Sequence, residues 1–372
     1  MMPMGETFDR HIVSALSASS PAAWPLPGAQ AQLDFLRNIQ AVLEDGQFVA
    51  TYKFALLTAL ADLAVERGAD DGAPCRLALA DIAGKFVSYY WQQAAPFAGV
   101  GDAGVLRQST GAQAAVLKVL ALERSFGLGT VAQLRASPSR WQSVLTRIVR
   151  IIRQQPLHRL QVVAGEARIF LYPHDEHAEA ITLLPGVAYQ LRRFHPLVTG
   201  LARARWMSLI RDIPANHNMV GLAHDLERFL FGNGRQPITH HLSMLTDQQR
   251  GLCLYCGARL RAGDTHVDHF IPWSLHRFDA LPNLVAAHGQ CNLAKRDMLA
   301  AERHLERWVE RNAAAFREPP PGAAELASTA GDAALRIARW AYQRNDDNGA
   351  AVWLQGRQTE RLSGRYRRML AV

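Results

Sequence analysis

Cys253-Leu-Tyr-Cys256-Gly257 opens the stretch of sequence that decides the reading. His266-Val267-Asp268-His269-Phe270-Ile271-Pro272-Trp273 follows, then Asn283-Leu284-Val285. His288-Gly289-Gln290-Cys291-Asn292 closes it, with Lys295 and Arg296 just behind. Two metal sites can be read here. Cys253, Cys256, His288 and Cys291 form a C-x2-C…H-x2-C set, the four sulfur and nitrogen donors of a closed tetrahedral zinc site. Such a structural Zn2+ pins both ends of a segment too small to hold its own core. Asp268 and Asn292 offer oxygen to a hard cation, Mg2+ or Mn2+. His269 stands beside Asp268, and a neutral imidazole can take a proton from water. His266 sits two residues before Asp268, on the same face of an extended strand. It reads either as a further ligand of that cation or as a hydrogen-bonding or substrate-contacting histidine.

In this order and spacing the stretch resembles the HNH endonuclease family, whose core is a ββα-metal unit. The resemblance covers residues 253–298. It implies that His269 is the general base, that Asp268 and Asn292 hold the catalytic cation, and that Asn283 steadies the loop carrying the base. Asn292 stands where the family name places its last histidine, which favours Mg2+ or Mn2+ over a zinc-type catalytic ion. The implied activity is metal-dependent hydrolysis of DNA phosphodiesters, leaving 5′-phosphate and 3′-hydroxyl ends. Two other readings stay open: a zinc-stabilised nucleic-acid-binding module without turnover, and an RNase. More loosely, the layout of a helical region, Trp206, Phe229-Leu230 and then the metal-binding stretch is similar to large bacterial HNH-domain proteins linked to antiviral defence.

Outward from this stretch the composition is that of a folded protein, 49% hydrophobic and 20% charged. The 372 residues suit two or three domains. No apolar run approaches the ~18 residues of a membrane helix. Glu6, Asp9 and Arg10 precede the first apolar stretch, unlike a secretory signal. A cytoplasmic location is therefore expected, with no membrane partner. Three of the four cysteines share one short window, which argues for metal in a reducing compartment rather than a disulfide framework. Cys75 reads as a small core or turn residue. The chain has no phosphate-binding glycine loop, so no built-in nucleotide use is expected.

The net charge is +8, and residues 1–140 carry 11 Lys and Arg against 12 Asp and Glu, so the basic surplus lies beyond them. A polyanionic partner follows: DNA first, RNA second. Arg147, Arg150 and Arg153 on one helix are candidates to track a phosphate backbone, as are Arg203 and Arg205, with Arg192, Arg193 and Arg211, on the next basic helix. Lys295 and Arg296 are candidates too, and solvated faces are the alternative for all of them. The tail, Arg361, Arg365, Arg367 and Arg368 around Tyr366, reads the same way. A protein partner or a homodimer through the N-terminal region is a further expectation.

The expected architecture is mainly α with a small α+β part. Residues 1–155 form a helical region whose first 30 residues fray. Residues 156–240 form a mixed α/β to helical middle region with the basic helix. Residues 241–318 form the HNH ββα-metal domain, and 319–372 a C-terminal helical extension. Periodicity predicts helices over 46–68, 77–93 and 139–155, the last with Val144, Leu145, Ile148 and Ile151 on one face. Strands are expected at 160–163, 167–172 and 180–184. Pro319–Gly322 is a linker, and Leu335, Ile337, Trp340 and Trp353 bring the following helices back onto the preceding domain.

Overall fold

The computed structural model describes residues 24–44, 48–97, 104–173, 175, 177–220, 223–232, 238–317 and 324–371. Of the 30 N-terminal residues expected to fray, 1–23 lie outside the described residues and Ala29 and Gln30 already begin the first helix; the Pro319–Gly322 linker also lies outside the described residues. The rest is mainly helical with four two-stranded sheets.

One helix organises the larger body. After α1 (Ala29–Glu44), α2 (Tyr52–Arg67) is buried at every position from Tyr52 to Glu66. A helix buried on all sides needs neighbours on all sides. β1 (Cys75–Ala78) leads into α3 (Leu79–Tyr90), backed by α4 (Ala115–Ser125) and α5 (Pro138–Gln154). β2 (Ala180–Leu183) precedes α6 (Val187–Arg193) and α7 (His195–Asp212), which pack directly on α2, as α3 does. On α5 the buried face is Val144, Leu145, Ile148 and Ile152; Ile151 is only half-buried.

The strands correct two expectations. Leu77 and Ala78, expected to begin a helix, belong to the strand Cys75–Ala78, which pairs antiparallel with Ala180–Leu183, Cys75 opposite Leu183. The expected strand at 167–172 is reduced to a two-residue hairpin arm, Glu166–Ala167 against Val162–Val163. The β1–β2 pairing crosses the boundary expected at residue 155. A single apolar core runs from Phe35 to Leu230, so the two expected N-terminal regions form one body.

The second core holds the metal-binding stretch. α8 (Leu242–Gln248) precedes β3 (Thr265–His269), which pairs antiparallel with β4 (Leu284–His288); α9 (Gly289–Lys295) follows at once. This is a ββα unit. α10 (Glu302–Arg317) and α11 (Ala324–Asp347) pack beside it. The C-terminal extension is not purely helical, because β5 (Val352–Gln355) and β6 (Gln358–Glu360) form a hairpin. β5 docks beside α9 through Trp353 N–H to Leu299 O at 2.8 Å and Ala301 N–H to Trp353 O at 2.8 Å. Ile337, Trp340 and Trp353 are buried in this core and Leu335 packs against it, as expected.

A cluster of polar groups ties the two cores together. Asp62 and Glu66 lie one turn apart on α2 and so share a face. The Asp62 carboxylate takes a 2.7 Å bond from His195 Nε2, and Glu66 takes one of 2.8 Å from His276 Nε2. His276 lies in the loop between β3 and β4. Tyr89 and Lys85 complete the two carboxylates. Burial works against the Glu66 charge, yet the Lys85 and His276 contacts hold its carboxyl below the usual range. Among the described residues no helix is long and apolar enough to cross a membrane.

Candidate metal centre and nuclease site

The two knuckles meet because each is a tight turn. Gly257 takes φ +72°, which glycine adopts at little cost, and its N–H bonds back to Cys253 O at 2.9 Å. His288 ends β4 and Cys291 lies in the first turn of α9. The donor atoms of Cys253, Cys256, His288 and Cys291 all lie within 4.8 Å of one another. His288 Nδ1 is 3.3 Å from Cys256 Sγ, while its Nε2–H donates to Arg259 O at 3.0 Å. That second bond fixes the tautomer that leaves Nδ1 free as a ligand. Burial and the neighbouring sulfurs push the Cys291 thiol up to about 12. Three thiolates this close need a cation among them, and a donor set of three sulfurs and one imidazole nitrogen fits zinc.

The candidate catalytic residues belong to the same unit: Asp268 and His269 end β3, Asn283 precedes β4, and Asn292 follows Cys291 on α9. Asn283 is buried and joins both ends of the loop after His269. Its Oδ1 accepts Ile271 N–H at 2.8 Å, and its Nδ2 donates to Ile271 O and Phe278 O at 3.1 Å each. Asp268 Oδ2 accepts the Tyr255 hydroxyl at 2.5 Å and lies 3.1 Å from Lys295 Nζ. Both contacts fall on Oδ2, which leaves Oδ1 for a ligand role. Asn292 stands three residues before Lys295 on α9, on the same face of the helix. An oxygen pair from Asp268 and Asn292 suits a hard divalent cation, and Lys295 and Tyr255 fix the carboxylate that would hold it.

Lys295 is placed differently from its expected role. It is fully buried, donates to His269 O at 2.9 Å and lies over the Tyr255 ring. It therefore braces the site from inside instead of facing a phosphate. Breaking a buried pair by removing one partner costs about 3–5 kcal/mol. Asp268 keeps some exposure, so Lys295→Met is expected at the lower end, about 3 kcal/mol, read from the denaturant midpoint of the full chain. A loss under about 1 kcal/mol would contradict the bracing role.

His266 is exposed and lies against the start of α9. A Cβ on Gly289 would come within 2.9 Å of its Nε2 and 3.0 Å of Asp264 Oδ1, so these two side-chain ends would have to shift to admit a larger residue there. Arg296 is exposed just after α9, in a left-handed backbone conformation with φ +54°. The N-terminal arginines separate. Arg153 is committed to Glu179 at 2.6 Å and to Ala178 O, and Arg147 sits 3.9 Å from Glu123. Arg150 is exposed. Arg203 lies over the Phe231 ring, and Arg205 bonds Leu43 O. Arg192 is buried, bidentate on Asp70 and bonded to α2 carbonyls, so it faces no phosphate. In the tail, Tyr366 is buried and Arg367 pairs with Asp346 at 2.9 Å.

One residue of the site carries no sequence signal. Asp279 Oδ1 lies 2.6 Å from His269 Nε2. It comes from the irregular loop between β3 and β4, where no spacing rule applies.

The metal-binding stretch matches the HNH endonuclease family model over residues 253–297. The chain carries an HNH endonuclease domain. A second model, a domain of unknown function (DUF8808), matches residues 31–226, more than half of the chain, and the chain belongs to that family. The DUF8808 match coincides with the first core, from Phe35 almost to Leu230, and the HNH match with β3, β4 and α9. No curated protein and no solved structure matches significantly.

Proposed function

We propose that this chain is a metal-dependent DNA endonuclease whose HNH domain hydrolyses one phosphodiester at a time. The observation that supports the reading is the ββα unit itself, with Asp268 and His269 at the end of β3, Asn292 on α9 and a zinc-type cluster at its two knuckles. His269 accepts a proton from the attacking water at Nδ1, since Nε2 is committed to Asp279. Asn283 holds the loop that keeps the ring in place. Asp268 and Asn292 would hold Mg2+ or Mn2+, which when bound supplies charge neutralisation at the scissile phosphate and the leaving 3′ oxygen. Exposed Arg296 after α9, and exposed Arg150 on α5 and Arg205 on α7, are among the cations open to a phosphate backbone. The wider resemblance to bacterial defence proteins supports the reading that this cutting is directed at foreign DNA in the cytoplasm.

Supercoiled plasmid, linear duplex, single-stranded DNA and RNA, each incubated with the full chain and Mg2+, Mn2+ or EDTA, test this. Nicked plasmid with 5′-phosphate ends, absent in EDTA, is the expected result. Binding without cuts under every condition would leave a zinc-stabilised binding module instead. Cleavage of RNA alone would make the chain an RNase.

A further inference from the structure

We infer that Asp279 is the positioning residue of the candidate base, holding His269 in a single tautomer and rotamer; this deepens the nuclease reading and rests on it. An ionised carboxylate only accepts, so the 2.6 Å contact requires the imidazole to donate at Nε2. Neutral His269 then carries its lone pair on Nδ1, the nitrogen that must face the water. Without the carboxylate both tautomers are open, and the ring is free to turn.

The loop around Asp279 is anchored on both sides. Upstream, His276 Nε2 reaches Glu66 of α2 at 2.8 Å, and the Arg277 guanidinium donates to Phe231 O. Downstream, Asn283 Nδ2 bonds Phe278 O at 3.1 Å, and Asn283 N–H bonds Ala280 O at 2.9 Å. Trp273, with ring centroids 5.3 Å apart, covers the His269 imidazole from the same loop. The helical body thus contributes to the aim of the base through Glu66, whose partner His276 stands just before Asp279 in the loop. A lone carboxylate on a free loop would gain little by ordering itself against an imidazole; here that ordering is already imposed by the fold.

Four proteins test the inference: wild type, Asp279→Ala, His269→Ala and the double variant. Single-turnover plasmid nicking in Mg2+ is the first readout, with DNA affinity in EDTA as its control. Asp279→Ala is expected to slow nicking about 10- to 100-fold, with affinity and zinc content unchanged. The double variant is expected to be no slower than His269→Ala, because Asp279 acts only through that ring. A further tenfold loss in the double variant, or nicking by Asp279→Ala within twofold of wild type, would overturn the inference. The second readout does not need cleavage. The 15N imidazole signals of His269, assigned by their loss in His269→Ala, should show Nδ1 unprotonated in wild type and a mixture of tautomers in Asp279→Ala. An unchanged tautomer in Asp279→Ala overturns the positioning role even if the enzyme cuts. A chain that cuts nothing but shows the expected tautomers sustains the positioning role and overturns the nuclease reading.

Discussion

Chelation of the full chain is expected to release about one zinc per molecule and to unfold the segment from Cys253 to Lys295. The ββα unit is small: two strands of five residues and a helix of seven. An isolated helix of that length has no stability of its own in water. The cluster joins the knuckle before β3 to the start of α9, so zinc fixes both ends of the hairpin at once. Structural zinc contributes on the order of 10 kcal/mol in such modules. That exceeds anything the hairpin contacts can replace. Trp308 reports the outcome, because its ring stacks on Phe270 with centroids 4.8 Å apart and its indole N–H donates to Pro282 O. EDTA or Cys256→Ser should shift its fluorescence to the red and open residues 253–295 to protease, while the helical body around α2 keeps its far-ultraviolet signal. The pH dependence has a definite sign. Zinc requires the thiolate form of Cys291, whose thiol otherwise sits at about 12, so protons compete with the metal and affinity falls as pH falls. A chain that stays protease-resistant after complete zinc removal would show that the second core holds the unit without metal.

The same stretch shows what a sequence can and cannot carry. The knuckles were legible because ligand spacing is itself the geometry: two residues between donors is what one tight turn permits. Asn283 was legible in its place before β4, and apolar period marked α2 and α5 as helices, though not the burial of α2 on every side. Lys295 was misread because lysine is a surface residue by default, and its burial depends on Asp268 and Tyr255, which reach it only in the folded hairpin. The β1 strand was hidden inside an apolar run that fits helix equally well, and its partner lies about a hundred residues on. Asp279 and the Asp62–His195, Glu66–His276 contacts are products of tertiary closure. No local pattern encodes a contact between α2 and a loop 210 residues away.

His269→Ala is expected to cut plasmid about a thousandfold more slowly than wild type in Mg2+, with DNA binding in EDTA unchanged within about twofold. General-base catalysis contributes roughly 10²–10⁴ in rate, and the central value applies when the base is already oriented. Here the ring is nine-tenths buried, bonded at Nε2 and covered by Trp273, so it reaches the reaction without reordering. Binding should survive because the exposed arginines that would meet phosphate lie elsewhere, and because the imidazole makes no bond that holds the zinc cluster. The alanine variant also keeps the backbone carbonyl of residue 269, which Lys295 needs as its acceptor, so the fold should be retained. The split between lost turnover and retained affinity is the informative quantity, since removing a group that acts in the transition state lowers the rate constant and leaves ground-state binding alone. Nicking within threefold of wild type would mean that the water loses its proton to another group. His266, exposed on the same strand, would then be the first residue to replace.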